Sequence, residues 1–251
     1  MSDLAIDQVV KRFGGVTAVD GLSLRVPSGN ITGLIGPNGA GKTTVINLIT
    51  GIDEPTSGHV LFAGRRITGQ TQENIARLGV GRTFQNIRLL REASVLANVV
   101  VGFHRHEKTS LLANLLGLPA VWQERRDFID RGRALLDRFT MSGFAEVPAG
   151  TLSYGHQRRV EIMRALAIEP EFLLLDEPVA GMSAVEAGEL GSIFRALAVQ
   201  GLGILLIEHN VAFVTEVCDY VYVIDAGRLI AQGQADAVCR DPAVIAAYLG
   251  A

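Results

Sequence analysis

The chain has 251 residues, of which 48% are hydrophobic and 20% are charged. This composition is typical of a globular protein and argues against a disordered or fibrous one. The formal net charge of −3 argues against electrostatic binding of nucleic acid by the protein surface as a whole, because such binding needs a basic face. Cys218 and Cys239 have no CxxC spacing, which excludes a disulfide framework and is typical of proteins in a reducing cytosol.

No segment has the pattern of a signal peptide or of a membrane span. Residues 1–15 contain acidic side chains and lack a continuous apolar stretch, unlike a secretory signal. The most apolar segment, residues 111–122, is interrupted by Asn114, Gly117 and Pro119, whereas a spanning helix needs roughly 20 apolar residues. We therefore expect any membrane role to come through a partner protein.

The amino-terminal third predicts strands around a glycine-rich turn. Apolar and polar residues alternate over 22–26, which indicates a half-buried strand. The apolar run 31–35 predicts a second strand, and a helix is predicted over 42–50, where Gly51 ends it. A further short strand is predicted over 59–62.

The middle of the chain predicts helices, for example over 127–139 and 160–168, and the last third predicts strands over 172–175, 203–207 and 220–224. The first two of these strands are continuously apolar, as parallel strands covered on both faces are. The pattern predicts an α/β core with a helical subdomain inserted at approximately residues 92–168.

Residues 36–43, Gly-Pro-Asn-Gly-Ala-Gly-Lys-Thr, match the phosphate-binding pattern GxxxxGK[ST] between a predicted strand and a predicted helix. Glycines let backbone N–H groups point at phosphate oxygens, and the helix adds its positive end. Lys42 is predicted to bridge the β- and γ-phosphates, and Thr43 to bind Mg²⁺. The predicted nucleotide-binding residues of this loop are Gly36, Pro37, Asn38, Gly39, Ala40, Gly41, Lys42, Thr43 and Thr44.

Two carboxylates, Asp176 and Glu177, follow the apolar strand 172–175. Consecutive side chains of a strand point to opposite faces, so the two cannot share a role unless the chain turns. We expect Asp176 to bind Mg²⁺ and Glu177 to act on the attacking water. The alternative is that this pair is only the solvated start of a loop.

Residues 152–156, Leu-Ser-Tyr-Gly-His, resemble the LSGGQ signature of the ABC ATPases. The order of phosphate loop, glutamine loop, signature, acidic strand end and histidine is also that of this family. The resemblance covers the whole chain, residues 1–251, as one ABC nucleotide-binding domain. It implies a RecA-like P-loop NTPase core with an antiparallel β-subdomain and a helical signature subdomain, and it implies hydrolysis of ATP.

The resemblance assigns further roles to single residues. Phe13 matches the aromatic residue that stacks on adenine, although it could also be a core residue. Gln85 matches the glutamine that contacts Mg²⁺ and the water, and His209 matches the histidine beside the γ-phosphate. The implied catalytic residues are Glu177, His209 and Gln85, and the implied metal ligands are Thr43, Gln85 and Asp176.

Ser153 and Gly155 resemble the signature residues that complete the ATP site of an opposite subunit, which implies a head-to-tail pair enclosing two ATP molecules. Three residues depart from the family pattern. His156 replaces a Gln or Glu, Ser183 replaces an Asp or Asn, and Asn210 replaces an Asp.

A finer resemblance links the segments 81–88, 148–155, 207–210 and 242–250 to the ATPases of branched-chain amino-acid uptake. It implies membrane permease subunits and a second ABC ATPase as partners, an extracytoplasmic binding protein as an indirect partner, no nucleic acid, and a place on the cytoplasmic face of the membrane. Arg88 and Arg91 are candidates for docking the permease, or are part of an ordinary solvated face.

Other systems remain open at this point, namely urea or amide import and lipopolysaccharide export. A soluble ABC ATPase of DNA repair or translation is a further alternative. Such proteins carry long coiled-coil inserts or tandem cassettes, and this chain has no sustained heptads and a single cassette. The sequence therefore favours transport.

Overall fold

The structure is a computed structural model that describes residues 2–83, 87–107, 109, 118–238, 240–242 and 244. The chain divides into two compact units. The core unit comprises Met1–Thr83 and Glu171–Ala251, and the helical unit comprises Phe84–Pro170.

The core unit contains a four-stranded antiparallel sheet with the order β2-β1-β4-β5. Its strands are β1 (Asp3–Phe13), β2 (Val16–Pro27), β4 (Ser57–Phe62) and β5 (Arg65–Arg66). The register between β1 and β2 shifts after Ile6, and Gln8 has a positive φ of 46° there. This sheet is the antiparallel β-subdomain that the resemblance implies.

The second sheet of the core unit has six strands in the order β10-β9-β3-β8-β7-β6. Its strands are β3 (Ile31–Ile35), β6 (Val80–Arg82), β7 (Phe172–Asp176), β8 (Gly203–Ile207), β9 (Tyr220–Asp225) and β10 (Arg228–Gly233). All neighbours pair in parallel except β9 and β10, which are antiparallel. Every residue of β3, β7 and β8 is buried, as expected for parallel strands covered on both faces.

One hydrophobic cluster joins the two sheets and the helix that follows β3. It includes Leu22 of β2, Ile46 of that helix and Leu205 of β8. The rings of Phe62 and Phe172 meet edge to face, with 5.5 Å between centroids. Such a pair contributes about 0.5–1.5 kcal/mol beyond the burial of its area, and it holds the antiparallel sheet against the parallel one.

Helices of the core unit are α1 (Lys42–Ile49), α2 (Gln72–Arg77), α6 (Ala184–Val199), α7 (Val211–Val217) and α8 (Ala235–Val238). The helical unit contains α3 (Val95–Val101), α4 (Pro119–Arg138), α5 (Tyr154–Leu166) and 3₁₀ turns at Gly102–His106, Ser142–Phe144 and Ala149–Thr151. Within the described ranges, no helix is both long enough and apolar enough to cross a bilayer.

Two helices of the helical unit begin earlier than the sequence pattern predicts. The helix predicted over 127–139 begins at Pro119, because proline is well placed in a first helical turn, where its missing N–H is not needed. The helix predicted over 160–168 begins at Tyr154, because the side chain of Ser153 caps it. Capping residues and the first polar turns lie outside the apolar stripe from which the helices were predicted.

Candidate nucleotide-binding site

The loop between β3 and α1 has a backbone that requires glycine. Gly39 and Gly41 have φ values of 81° and 102°, in the left-handed region that side chains disfavour. A Cβ on Gly41 would lie 2.4 Å from the carbonyl oxygen of Ala18, and a Cβ on Gly36 would lie 2.0 Å from that of Ile224. The loop is therefore pressed against the backbone of β2 and β9, which fixes its shape.

Lys42, the first residue of α1, folds its side chain over this loop. Its Nζ donates hydrogen bonds to the carbonyl oxygens of Gly36, at 2.7 Å, and of Pro37, at 2.9 Å. Burial lowers the pKa of Lys42, and the carboxylates of Glu177 and Asp176 partly offset that effect. Because an ammonium group has three donors, one N–H remains to meet a phosphate oxygen.

The outer side of the loop faces solvent. Asn38, Gly39 and Thr43 are exposed, and Thr44 is half-buried. Of the residues that the GxxxxGK[ST] pattern fixes, Gly36 and Lys42 are buried, Gly41 is half-buried and Thr43 is exposed. A helix start with free N–H groups and an accessible hydroxyl suits an anion.

Asp176 and Glu177 take different orientations because the chain turns between them. Asp176 ends β7 and is buried, and its N–H donates to the hydroxyl of Thr83 at 3.4 Å. Glu177 has a φ of 49° and its N–H donates to the carbonyl of Ile207 at 2.9 Å. The sequence left open whether the chain turns here, and the left-handed backbone at Glu177 answers that question.

His209 lies two residues beyond β8, the strand that neighbours β7. Its Nδ1 is 3.5 Å from Oε1 of Glu177, and its side chain is 58% exposed. The histidine and the carboxylate therefore meet at the carboxyl ends of adjacent parallel strands, where open α/β sheets bind their ligands.

Phe13 lies at the end of β1 and is 47% exposed, so it is not a core residue. Nζ of Lys11 lies 4.7 Å from the centroid of its ring and donates to the carbonyl of Glu54 at 2.8 Å. An exposed ring with a fixed cation against it is suited to stacking on a flat base.

Two charged residues of this region were not predicted from the sequence. Glu208, fully buried beside His209, accepts hydrogen bonds from backbone N–H groups, and burial raises its pKa. Arg82, at the end of β6, donates to Asn47 and Thr50 of the α1 segment at 2.8 and 3.2 Å, and burial lowers its pKa, which Asp176 partly offsets. For Glu208 the available signal was a charged residue directly after the apolar run 204–207, whereas Arg82 follows no apolar run and carries no such signal.

Comparison with known proteins identifies the family. A sequence model described as "ABC transporter" matches residues 19–180, more than half of the chain. The chain belongs to the ABC transporter family. A second model, described as "Branched-chain amino acid ATP-binding cassette transporter", matches residues 228–251. The predicted membership of the ABC ATPases is thereby confirmed.

Similar ABC proteins include two that are named for amino-acid transport. The chain is 42% identical to the "High-affinity branched-chain amino acid transport ATP-binding protein LivG" of Salmonella typhimurium and 40% identical to BraF, of the same description, from Pseudomonas aeruginosa. Each alignment covers 98% of this chain and 97% of the relative. The finer resemblance to branched-chain amino-acid uptake ATPases is therefore also confirmed.

The fold comparison agrees with the sequence comparison. The ADP conformation of an ATP-binding cassette from an ABC transporter superposes with a TM-score of 0.86 at 32% identity, over 100% of both chains. The predicted fold class, a P-loop NTPase core with a β-subdomain and a helical subdomain, is confirmed.

Ser153 and Gly155, which are predicted to be signature residues, lie at the start of α5 in the helical unit. The exposed Ser153 caps the helix, since its hydroxyl accepts the N–H of His156 at 3.3 Å. Gly155 is buried. The ring of His156 packs on Phe144, with 4.7 Å between centroids. A capping hydroxyl still has its own proton to donate, so Ser153 can contact an anion.

The other two departures from the ABC pattern, unlike His156, are themselves helix caps. Ser183 forms a reciprocal capping box with Glu186 at the start of α6, and the Asn210 side chain accepts the N–H of Phe213 at the start of α7. Both residue types are favoured at such positions. Gln85 lies outside the described residues.

Proposed function

We propose that this chain is the ATP-binding and ATP-hydrolysing subunit of an importer of branched-chain amino acids. The observation that supports ATP hydrolysis is the convergence, in one unit, of the lysine of a glycine loop with two carboxylates and a histidine. The negative charges of Glu177 and Asp176 act on the ammonium group of Lys42. Nδ1 of His209 is 3.5 Å from Oε1 of Glu177. The choice of branched-chain amino acids is supported by the 40–42% identity to ATPases named for their transport.

In this proposal the loop Gly36–Thr43 binds the triphosphate through its N–H groups, and Lys42 lies against the β- and γ-phosphates. Glu177 orients the water that attacks the γ-phosphorus, the bond to the ADP oxygen breaks, and ADP and phosphate result. His209 donates to the γ-phosphoryl oxygens as their charge changes. Phe13 stacks on the adenine.

The oxygen ligands available to Mg²⁺ fit that ion. Asp176 is a buried carboxylate at a strand end, and Thr43 has an accessible hydroxyl. Mg²⁺ is usually held by one or two carboxylates together with substrate phosphates. Asp176, Thr43 and Gln85 would hold the ion, which when bound neutralises phosphate charge.

The core and helical units together form one nucleotide-binding domain, with residues of approximately 92–168 as the signature subdomain. Ser153 and Gly155 of one copy complete the ATP site of a second ABC subunit in a head-to-tail pair. The partners are membrane permease subunits, with an extracytoplasmic binding protein acting indirectly. The chain then works on the cytoplasmic face of the membrane, and Arg88 and Arg91, both exposed, are candidates for the permease contact.

The first test separates ATP binding from hydrolysis. Glu177→Gln keeps the shape of the side chain but removes its charge, so we expect ATP to bind normally and turnover to fall below detection. Glu216→Gln is the matched control, because it makes the same change at an exposed glutamate of the same unit. Near-normal phosphate release by Glu177→Gln would remove Glu177 from its assigned role.

The second test concerns the transported substrate. The chain and its co-purifying permeases are reconstituted in proteoliposomes, and ATP hydrolysis is measured with the binding protein loaded with leucine, isoleucine, valine or urea. The proposal predicts stimulation by the three amino acids. Stimulation by urea alone, or recovery of ribosomes in place of permeases from native membranes, would contradict the assigned transport role.

A further inference from the structure

Glu208 is a buried charged residue to which the proposed reaction assigns no role. It is 0% exposed and directly follows β8, whereas the side chain of its neighbour His209 is 58% exposed. A carboxylate buried without partners would cost several kcal/mol. An acidic residue at this position therefore needs compensating hydrogen bonds.

The compensation comes from two segments of backbone. Oε1 of Glu208 accepts the N–H of Val179 at 3.1 Å, and Oε2 accepts the N–H of His209 at 3.2 Å. Nδ1 of His209 is 3.9 Å from Oε2. One carboxylate thus ties the loop that follows Glu177 to the loop that carries His209.

The loop after Glu177 is a series of turns, and Val179 takes part both in these turns and in the contact with Glu208. Ala180 donates to the carbonyl of Glu177 at 3.3 Å, and Met182 donates to the carbonyl of Val179 at 3.1 Å. The N–H of Val179 points instead to Glu208. A shift of Glu208 would therefore move the left-handed turn at Glu177 and the backbone of His209 relative to each other.

We propose that Glu208 is a positioning residue that fixes the separation between the imidazole of His209 and the carboxylate of Glu177. The inference rests on the proposed function, because it concerns the geometry of the same hydrolysis. Glu208 touches neither nucleotide nor water in this scheme and acts through the two backbone segments that it holds.

The test compares Glu208→Gln with the exposed control Glu216→Gln. The glutamine is of equal size and uncharged, which a buried site accommodates, but its NH₂ group faces one of the two N–H donors. We expect kcat for ATP to fall roughly 10- to 100-fold, the effect of a displacement of about 1 Å in a reacting group, while KM changes by less than about twofold. Glu216→Gln is expected to match the original chain in both.

Amide hydrogen exchange gives a second readout that does not depend on hydrolysis. In Glu208→Gln the amides of Val179 and His209 are expected to exchange about tenfold faster than in Glu216→Gln. Unchanged exchange, or faster exchange with an unchanged kcat, would overturn the positioning role. If the original chain releases no phosphate from ATP, the proposed function fails, and exchange alone then supports or overturns the tie between the two segments.

Glu208→Asp keeps the test decisive if the glutamine variant does not fold. Aspartate retains the charge but is one methylene shorter, so it cannot reach both N–H groups without moving one segment. We expect a lowered kcat with a retained KM. A normal kcat in this variant would overturn the proposal.

Discussion

Gly41→Ala tests the shape of the phosphate loop most sharply. A Cβ at this position would lie 2.4 Å from the carbonyl oxygen of Ala18. An ordinary contact begins near 3.4 Å, so the start of α1 must move by about 1 Å. The φ of 102° adds backbone strain of about 1–3 kcal/mol. We expect both the free energy of unfolding and the affinity for ATP to fall.

The expected loss of ATP affinity in Gly41→Ala can be estimated as the loss of one hydrogen bond between the loop and a phosphate oxygen. One charge-assisted hydrogen bond contributes about 1.5–3 kcal/mol, and its loss raises the Kd roughly 10- to 150-fold. The assay is titration with a fluorescent ATP analogue, together with urea unfolding of the same samples. Gly64→Ala is the matched control, because its φ of 74° imposes similar strain while a Cβ there meets nothing within 4 Å.

The control separates strain from displacement. Gly64→Ala is expected to lose about 1–2 kcal/mol of unfolding free energy and to bind nucleotide as the original chain does. If Gly41→Ala binds ATP within about twofold of Gly64→Ala, the loop does not depend on its contact with β2, and the reasoning is refuted.

Three further predictions concern nucleotide contacts and charge. Phe13→Ala should raise the Kd for ATP roughly 5- to 150-fold, since base stacking contributes about 1–3 kcal/mol. Val199→Ala, at an 88% exposed site, is the control. An equal Kd for the two variants would contradict stacking of Phe13 on the base. Lys42→Ala should weaken nucleotide binding in the same titration, and an unchanged Kd would contradict the proposed contact between Lys42 and the phosphates. Burial raises the pKa of Glu208 in the folded state above its unfolded value of about 4.3, so the folded state holds more protons between these two values. The free energy of unfolding therefore falls as pH rises through that window. Urea unfolding of Glu208→Gln should show no such fall. Parallel curves of unfolding free energy against pH for the variant and the original chain would contradict the prediction.

The sequence predicted the features that short-range patterns encode. The glycine loop needs glycines at fixed spacing, and the apolar runs of β7 and β8 follow from burial on both faces. The turn at Glu177 was not predictable, because a left-handed glutamate is held by a hydrogen bond to Ile207, which is distant in the sequence.

The early starts of α4 and α5 were missed because caps and first turns carry no apolar stripe. The role of Glu208 depends on an N–H of Val179, 29 positions away. A charged residue after an apolar run indicates an unusual position but does not show which groups bind the charge. That depends on tertiary contacts, which decide which backbone N–H groups lie next to the carboxylate.

The most direct measurement of the central claim is a crystal structure of the Glu177→Gln chain grown with Mg²⁺ and ATP. The account predicts the triphosphate against the amides of Gly36–Thr43, with Nζ of Lys42 on the β- and γ-phosphate oxygens and with Asp176 and residue 177 turned towards the γ-phosphate. A nucleotide bound elsewhere, or one bound at the loop with both side chains turned away, would contradict it.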